Sequence, residues 1–231
     1  MGSVRKIKLA VFDVAGTTAH DDGLVVEAFQ NAMISLGAVS GSSELANMTE
    51  YVNATMGQRK IDVFTHLYEG DSDKANTAHD RFIESYISLI QQGKLKEFDG
   101  ITPFFDQLRA DGVAVSITTG FPREILQPII DGLNWADHID FSVAASEVAH
   151  GRPAPDMILK SMELYNQKFN TEISPEEVAV IGDTESDMKS GVAAGARIIA
   201  GVTSGAGTSE QLFATGATHV LECASDLSTI C

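Results

Sequence analysis

The side chains with the clearest chemical potential in this sequence are carboxylates that follow short apolar runs. Asp13 comes after the run 7–12, and Asp183 and Asp187 come after the run 178–181. Two or three carboxylates with a backbone carbonyl and waters form the octahedral oxygen site that Mg²⁺ prefers. A carboxylate beside such an ion can also attack phosphorus, because the metal offsets the repulsion between two anions. We therefore expect a magnesium-dependent site with a carboxylate nucleophile.

Two further motifs supply groups that suit a phosphoryl group. Thr118-Thr119-Gly120 offers a hydroxyl and the backbone amides of a glycine turn, which can hold phosphate oxygens, and Arg152 can stabilise their charge. Each motif alone has a simpler interpretation, since an aspartate after a strand is usually a turn or helix-capping residue. Their occurrence together, most of them at the ends of predicted strands, favours a common site.

The order of the predicted elements explains how residues so far apart would meet. Short apolar runs, separated mostly by helical patterns, predict six strands at 7–12, 113–118, 141–144, 178–181, 197–200 and 219–221. Strands that alternate with helices indicate an α/β fold with a doubly wound parallel sheet, in which ligands bind beyond the carboxyl ends of the strands. Thr102-Pro103 predicts the start of one helix, with Thr102 as N-cap, and Asp111-Gly112 predicts its end.

The stretch from about residue 24 to 96 breaks this alternation. It shows amphipathic helical periodicity and no convincing strand, as expected for helices inserted after the first strand. We predict an α/β catalytic core domain of residues 1–19 and 97–231, with a small helical cap domain of residues 20–96 inserted into it.

Composition limits the class of protein. The chain has 231 residues, 44% of them hydrophobic, which is enough for a core and an insert. A formal net charge of −16 makes nucleic acid and anionic membrane poor partners, and an anionic substrate would need local cations. The two cysteines, Cys223 and Cys231, lack zinc-type spacing and argue against a disulfide framework. No signal peptide or bilayer-spanning apolar stretch is visible, so we expect a soluble cytoplasmic protein.

These motifs resemble the four signature motifs of the haloacid dehalogenase (HAD) superfamily of aspartate-nucleophile hydrolases. They appear as Asp13-Val-Ala-Gly-Thr-Thr18, Thr118-Thr119-Gly120, Arg152 within Gly-Arg-Pro, and Gly182-Asp183-Thr-Glu-Ser-Asp187. The resemblance covers nearly the whole chain. It implies a HAD-like Rossmannoid core, with the helical insert as the superfamily's small cap.

The resemblance also assigns roles to individual residues. It implies that Asp13 is the nucleophile and forms an aspartyl-phosphate, and that Mg²⁺ is held by Asp13, the backbone carbonyl of Ala15 and Asp183. Asp187 would support the ion through water. Thr119 directly precedes the glycine and so matches the phosphate-binding position, with Gly120 beside it.

Ala15 departs from the phosphatases of this superfamily, which carry a second aspartate there as general acid/base. Alanine cannot move a proton, so ester cleavage would lose an acid worth about 10²–10⁴-fold. Asp-x-Ala-Gly-Thr-Thr is instead the pattern of the phosphonoacetaldehyde hydrolase (phosphonatase) branch, which also carries Met-Gly-x-x-Lys-Ile-Asp. Here that motif runs from Met56 to Asp62 and places a lysine at position 60.

The second resemblance implies cleavage of a carbon–phosphorus bond next to an aldehyde. Lys60 would condense with the carbonyl to form an imine (Schiff base), Met56 would line the substrate pocket, and the protein would be a homodimer that associates through the cap. Two polar partners of the phosphonatase lysine are absent, because Val63 replaces a histidine and Phe121 replaces a tyrosine. His66 projects from a different helix face, so we do not assign it the missing role.

Two other functions stay open on the sequence alone. One is a phosphatase acting on a small phosphorylated metabolite, similar to phosphoglycolate phosphatase. The stretches 201–210 and 216–219 resemble small-molecule phosphatases of the superfamily more closely than they resemble phosphonatase. The other is a non-catalytic binding protein on the same scaffold, against which the intact Asp13, Asp183 and Asp187 argue.

Overall fold

The computed structural model describes residues 6–20 and 22–229. Cys231 and the first five residues, which bear on the expected absence of a signal peptide, lie outside these ranges. Among the described helices, none combines the length and the apolar character that crossing a bilayer requires.

The centre of the molecule is a six-stranded parallel sheet with the order β3-β2-β1-β4-β5-β6. The strands are β1 (Leu9–Asp13), β2 (Ala114–Thr119), β3 (Phe141–Ala144), β4 (Val178–Gly182), β5 (Ile198–Val202) and β6 (His219–Leu221). All six predicted strands are therefore confirmed. Four of them extend one or two residues further at the carboxyl end than predicted. Polar residues and glycines at these ends still pair with the neighbouring strand; Asp13, for example, lies opposite Thr118.

Both faces of the sheet are covered by helices, as predicted for a doubly wound fold. Leu9 and Val11 pack against the helix α7 (Asp156–Phe169), whereas Ala10 and Phe12 belong to the apolar cluster on the opposite face. This alternation follows from the two-residue period of a strand. The remaining helices of the sheet layers are α5 (Ile101–Ala110), α6 (Arg123–Gly132), α8 (Glu185–Ala194) and α9 (Ser209–Ala214).

The segment between β1 and α5 consists of helices, as the sequence periodicity indicates. These are α1 (Leu24–Ser35), α2 (Ser43–Ala54), α3 (Lys60–Leu67) and α4 (Ser72–Gln91). Their aromatic core includes Phe82 and Tyr86, and the Tyr86 ring packs 4.6 Å from the ring of Phe121, which follows β2. The apolar core is thus continuous between the helical insert and the sheet layers. The exact division into domains at residues 20–96 stays a prediction.

One predicted helix start is wrong. Helix α5 begins at Ile101, and Gly100 with a φ of 83° occupies the N-cap position. Thr102 instead lies in the first turn and its hydroxyl donates to Glu97 at 2.5 Å. Pro103 is tolerated there because the first backbone N–H groups of a helix have no intrahelical partner. The predicted end is confirmed, since Asp111 caps the helix.

Candidate active site

The predicted chemical groups meet at the carboxyl edge of the sheet. Asp13 and Thr119 are the last residues of the neighbouring strands β1 and β2, and Asp183 directly follows β4 on the other side of β1. Adjacent parallel strands bring their carboxyl ends to one edge, so the topology alone gathers these side chains. Asp13 and Asp183, far apart in the chain, thereby become neighbours.

Three buried carboxylates form the centre of the site. Ligand atoms of Asp13, Asp183 and Asp187 lie within 4.8 Å of one another. Burial raises the pKa of Asp13 to about 6, against the opposing effect of Arg152, and Asp187 adds to the rise. Burial also raises the pKa of Asp183 well above its usual value, with a contribution from Asp13. The cluster therefore holds excess buried negative charge, which a divalent cation with oxygen preference would offset.

This donor set fits Mg²⁺. It offers several carboxylate oxygens around one small space, with no sulfur or imidazole ligand in the group of three. Asp183 and Asp187 are also held in place. The backbone N–H of Ala206 donates to Asp183 Oδ2 at 2.7 Å, and the backbone N–H of Thr184 donates to Asp187 Oδ2 at 3.1 Å. Fixed orientation of ligand oxygens reduces the cost of assembling a metal site.

Arg152 is the cation of the cluster. Its guanidinium is buried, Nη1 pairs with Asp13 and with Asp187 Oδ1 (2.9 Å), and Nη2 donates to the Thr118 hydroxyl at 2.6 Å. Burial alone would lower the pKa of Arg152, but the nearby carboxylates of Asp187 and Asp13 raise it. Arg152 thus lies behind Asp13 and orients that carboxylate.

A cavity of about 480 Å³ opens above the carboxylates. The sheet side contributes most of the predicted site residues to its wall: Asp13, Ala15, Thr119, Gly120 and Asp183. The helical insert contributes Met56 and Lys60. Arg152 and Asp187 are not among its lining residues. The structure therefore brings the predicted nucleophile and the predicted imine-forming lysine to one cavity.

Lys60 is buried, which is rare for a lysine. The residue is only 5% exposed and opens helix α3. Its backbone N–H donates to the carbonyl of Gly120 at 3.2 Å, so the start of α3 is tied to the phosphate-binding turn. Its Nζ lies 5.8 Å from the ring centroid of Phe121. The ammonium is consequently placed inside the site rather than in solvent.

Two glycines allow the helical insert to lie this close to the sheet edge. Gly57 has a φ of 79°, and a Cβ there would meet Thr184 Oγ1 at 2.6 Å. Gly120 faces the carbonyl of Gln58 so closely that a Cβ would overlap the oxygen. Only glycine fits at both positions, and the pair sets how deeply Lys60 reaches toward Asp13.

We expect Gly57→Ala to lower turnover about 10²-fold, because the Thr184 clash would displace the loop that carries Lys60, and misplacement by about 1 Å has that effect. Gly70→Ala is the matched control: Gly70 also has positive φ (86°), but a Cβ there meets nothing within 4 Å. Both variants carry the same left-handed backbone strain of about 1–2 kcal/mol. Steady-state kinetics of the two would check this, and equal activities would show that the Gly57 contact does not position Lys60.

Several cavity residues lie outside the four signature motifs. They come from the segment after β1, from α2, from the segment before α5 and from the loop after β5: His20, Asp22, Asn53, Phe98, Ser204, Gly205 and Ala206. Two signals in the sequence point to some of them: His20 is adjacent to the Asp13–Thr18 motif, and the last three belong to the stretch 201–210. Val63 is buried, and the His66 ring stacks on Tyr51 with centroids 4.4 Å apart, away from the cavity.

Comparisons with known proteins agree with this geometry. Residues 10–201 match the family model described as haloacid dehalogenase-like hydrolase. The chain is 21% identical over 198 residues to phosphoglycolate phosphatase of Aquifex aeolicus, covering 83% of each chain. It is 31% identical over 216 residues to the bifunctional phosphonoacetaldehyde hydrolase/aminoethylphosphonate transaminase of Clostridioides difficile, covering 82% of this chain and 30% of that one. A hydrolase structure from Pseudomonas syringae superposes with a TM-score of 0.81 at 19% identity, covering 98% and 97%.

Proposed function

The chain belongs to the haloacid dehalogenase-like hydrolase family, and from that premise we propose that it cleaves the carbon–phosphorus bond of a small aldehyde-bearing phosphonate such as phosphonoacetaldehyde. One observation carries the proposal: buried Lys60 lines the same cavity as Asp13 and Ala15. A site for ester cleavage needs an acid near the leaving group, and Ala15 supplies none. A site for carbon–phosphorus cleavage needs an amine, and Lys60 supplies one.

The amine of Lys60 reacts with the aldehyde before the carbon–phosphorus bond is cleaved. The neutral Nζ of Lys60 adds to the aldehyde carbon, and loss of water with uptake of one proton from solvent gives a protonated imine whose carbon is two bonds from phosphorus. When the carbon–phosphorus bond breaks, its electron pair moves into the new carbon–carbon double bond and neutralises the iminium nitrogen. The departing carbon therefore leaves as an enamine instead of a carbanion, which is why the reaction proceeds without an acid at position 15.

Asp13 receives the phosphoryl group. Its carboxylate attacks phosphorus on the side opposite the departing carbon, while the Thr119 hydroxyl and the Gly120 amide hold the phosphoryl oxygens and Arg152 keeps the carboxylate oriented. Asp13, the Ala15 carbonyl and Asp183 would hold Mg²⁺ with Asp187 in support, and the ion would supply the positive charge that offsets repulsion between the carboxylate and the anionic substrate. Water then hydrolyses the aspartyl-phosphate, and a second water releases the aldehyde from Lys60.

Release of inorganic phosphate from phosphonoacetaldehyde and from phosphoglycolate, both with Mg²⁺, tests the proposal. We expect kcat/KM for the phosphonate to exceed that for the ester by about 10²-fold or more. Only the ester needs a leaving-group acid, and position 15 carries alanine instead of one. Faster hydrolysis of the ester would reject the proposal.

The second candidate is a phosphatase acting on a small phosphorylated metabolite. Likeness to the Aquifex aeolicus phosphoglycolate phosphatase over 83% of both chains favours it. Such an enzyme would need a leaving group good enough to depart unprotonated, or an acid from another part of the cavity. Phosphate release from esters that persists undiminished in Lys60→Ala would support this candidate.

Three further properties belong to the same proposal. Likeness to phosphonatase implies a homodimer formed through the helical insert, the helical periodicity of residues 24–96 supports a cap domain spanning residues 20–96, and the third property is a cytoplasmic location. Light scattering of the purified protein measures the first of these directly, and a monomeric mass would remove the homodimer from the proposal without affecting the chemistry.

A further inference from the structure

After carbon–phosphorus cleavage at this site, one proton transfer still needs a donor. The enamine left on Lys60 must take a proton at the carbon that parted from phosphorus before water can release the aldehyde. Ala15 cannot give that proton, and Phe121 and Val63 are apolar. Asp13 carries the phosphoryl group at this stage, and Asp183 belongs to the metal cluster. Solvent aside, the donor would be another group on the cavity wall.

His20 is the one imidazole among the described residues that line the cavity. Its ring packs against the ring of Phe98 with centroids 3.9 Å apart, and its backbone N–H donates to the carbonyl of Lys96 at 2.8 Å. The ring is thus packed against the wall by Phe98, and the backbone of His20 is fixed by Lys96. Its side chain remains 38% exposed, so the imidazole can exchange protons with solvent between turnovers. Imidazole is the side chain best suited to give and regain a proton near neutral pH.

The groups around His20 include a carboxylate that can stabilise a protonated imidazole. Asp22 Oδ1 lies 3.9 Å from Nδ1 on the same segment, within ion-pairing distance. On the segment packed against it, Lys96 contributes its backbone carbonyl, and the carboxylate of Glu97 is directed to Trp135 and Thr102. The cavity itself adds Asp13, Asp183 and Lys60.

We propose that His20 is the acid that protonates the departing carbon. This inference rests on the proposed function. The imidazolium of His20 gives its proton to the enamine carbon, and the enamine electron pair forms the new carbon–hydrogen bond. The nitrogen on Lys60 becomes an iminium again, which water hydrolyses to acetaldehyde and the Lys60 ammonium, and loss of one proton to solvent restores the neutral amine. Neutral His20 then regains a proton from solvent. This proton reaches carbon after the carbon–phosphorus bond has broken, whereas an acid at position 15 would protonate the leaving oxygen of an ester as its bond to phosphorus breaks.

His20→Gln tests this inference, with His138→Gln as the matched control. His138 also pairs with a carboxylate, Asp106 at 2.8 Å, has a similarly exposed side chain (31%), and lies outside the cavity. We expect His20→Gln to lower kcat for phosphonoacetaldehyde about 10²-fold and to flatten the alkaline limb of its pH profile. His138→Gln should keep both. In His20→Gln the imine still forms, so borohydride should still attach the substrate carbon to Lys60.

Chemical rescue separates proton transfer from a structural role. His20→Ala should regain at least a tenfold rate when imidazole is added, because the exposed cavity wall admits imidazolium, which can donate the missing proton. Melting temperatures within a few degrees of the wild type would show that both variants are folded. If His20→Gln matches the wild type in kcat and pH profile, or if imidazole leaves His20→Ala unchanged, the inference is wrong. If the wild type itself gives no borohydride adduct, the proposed function fails first and the inference fails with it.

Discussion

Lys60→Arg is expected to lower phosphate release from phosphonoacetaldehyde on the order of 10⁴-fold or more. Arginine keeps the positive charge and most of the length, but its guanidinium stays protonated in proteins and cannot condense with an aldehyde. Without the imine, the carbon leaving phosphorus would have to carry a full negative charge. Loss of a residue that forms a covalent intermediate has effects of this size or larger.

Lys74→Arg is the control for this variant. Lys74 lies on the same helical insert, but its side chain is exposed and pairs with Asp71 at 3.0 Å. It should behave as the wild type. Phosphate release in each variant, measured under single-turnover conditions, would distinguish loss of chemistry from loss of binding. Activity in Lys60→Arg within tenfold of the wild type would show that the amine has no covalent role.

Asp13→Asn is expected to abolish turnover of phosphonates and esters alike, again by about 10⁴-fold or more. The amide has nearly the same shape, but it is not a nucleophile toward phosphorus and it removes one anionic ligand from the carboxylate cluster. Asp131→Asn provides the comparison, because Asp131 is exposed and its carboxylate accepts a hydrogen bond from the Gln127 side chain, away from the cavity. Phosphate release and a circular dichroism spectrum of both variants check the prediction.

The same variant decides whether the protein is an enzyme of this type at all. Both candidate functions, on phosphonates and on phosphate esters, pass through an aspartyl-phosphate on Asp13. If Asp13→Asn leaves every measured activity unchanged, the scaffold serves a non-catalytic binding role. Loss of all activity would support the nucleophile without choosing between the two substrates, since that choice depends on Lys60 and His20.

The sheet and the ends of its strands were predictable because the relevant information is local. A run such as 178–181 is apolar, short and followed by Gly182-Asp183, and one parallel sheet then brings all such ends to one edge. Residues with a motif, including Asp13 and Thr119, could for that reason be assigned to a common site from the amino-acid sequence alone. Helix boundaries were less certain, as α5 illustrates, since Gly100 rather than Thr102 takes the N-cap.

The parts of the site that the sequence did not predict depend on contacts between distant segments. The loop after β5 holds Asp183 through the Ala206 amide, and no pattern in that loop indicates this hydrogen bond. His20 reaches the cavity only because Phe98 and Lys96 pack against it. The depth of Lys60 follows from the close approach of Gly57 and Gly120 to opposite segments, which depends on how two separate parts of the chain meet.

Reduction of the enzyme–substrate mixture with borohydride, followed by peptide mass spectrometry, tests the central claim most directly. The claim is that a buried amine on the helical insert forms a covalent bond with the substrate that Asp13 attacks. Phosphonoacetaldehyde and borohydride together should inactivate the protein and leave an ethyl group (imine reduced after cleavage) or a phosphonoethyl group (imine reduced before cleavage) on the peptide that contains Lys60, and on no peptide in Lys60→Arg. An unmodified Lys60 peptide in protein that is releasing phosphate from phosphonoacetaldehyde would contradict it.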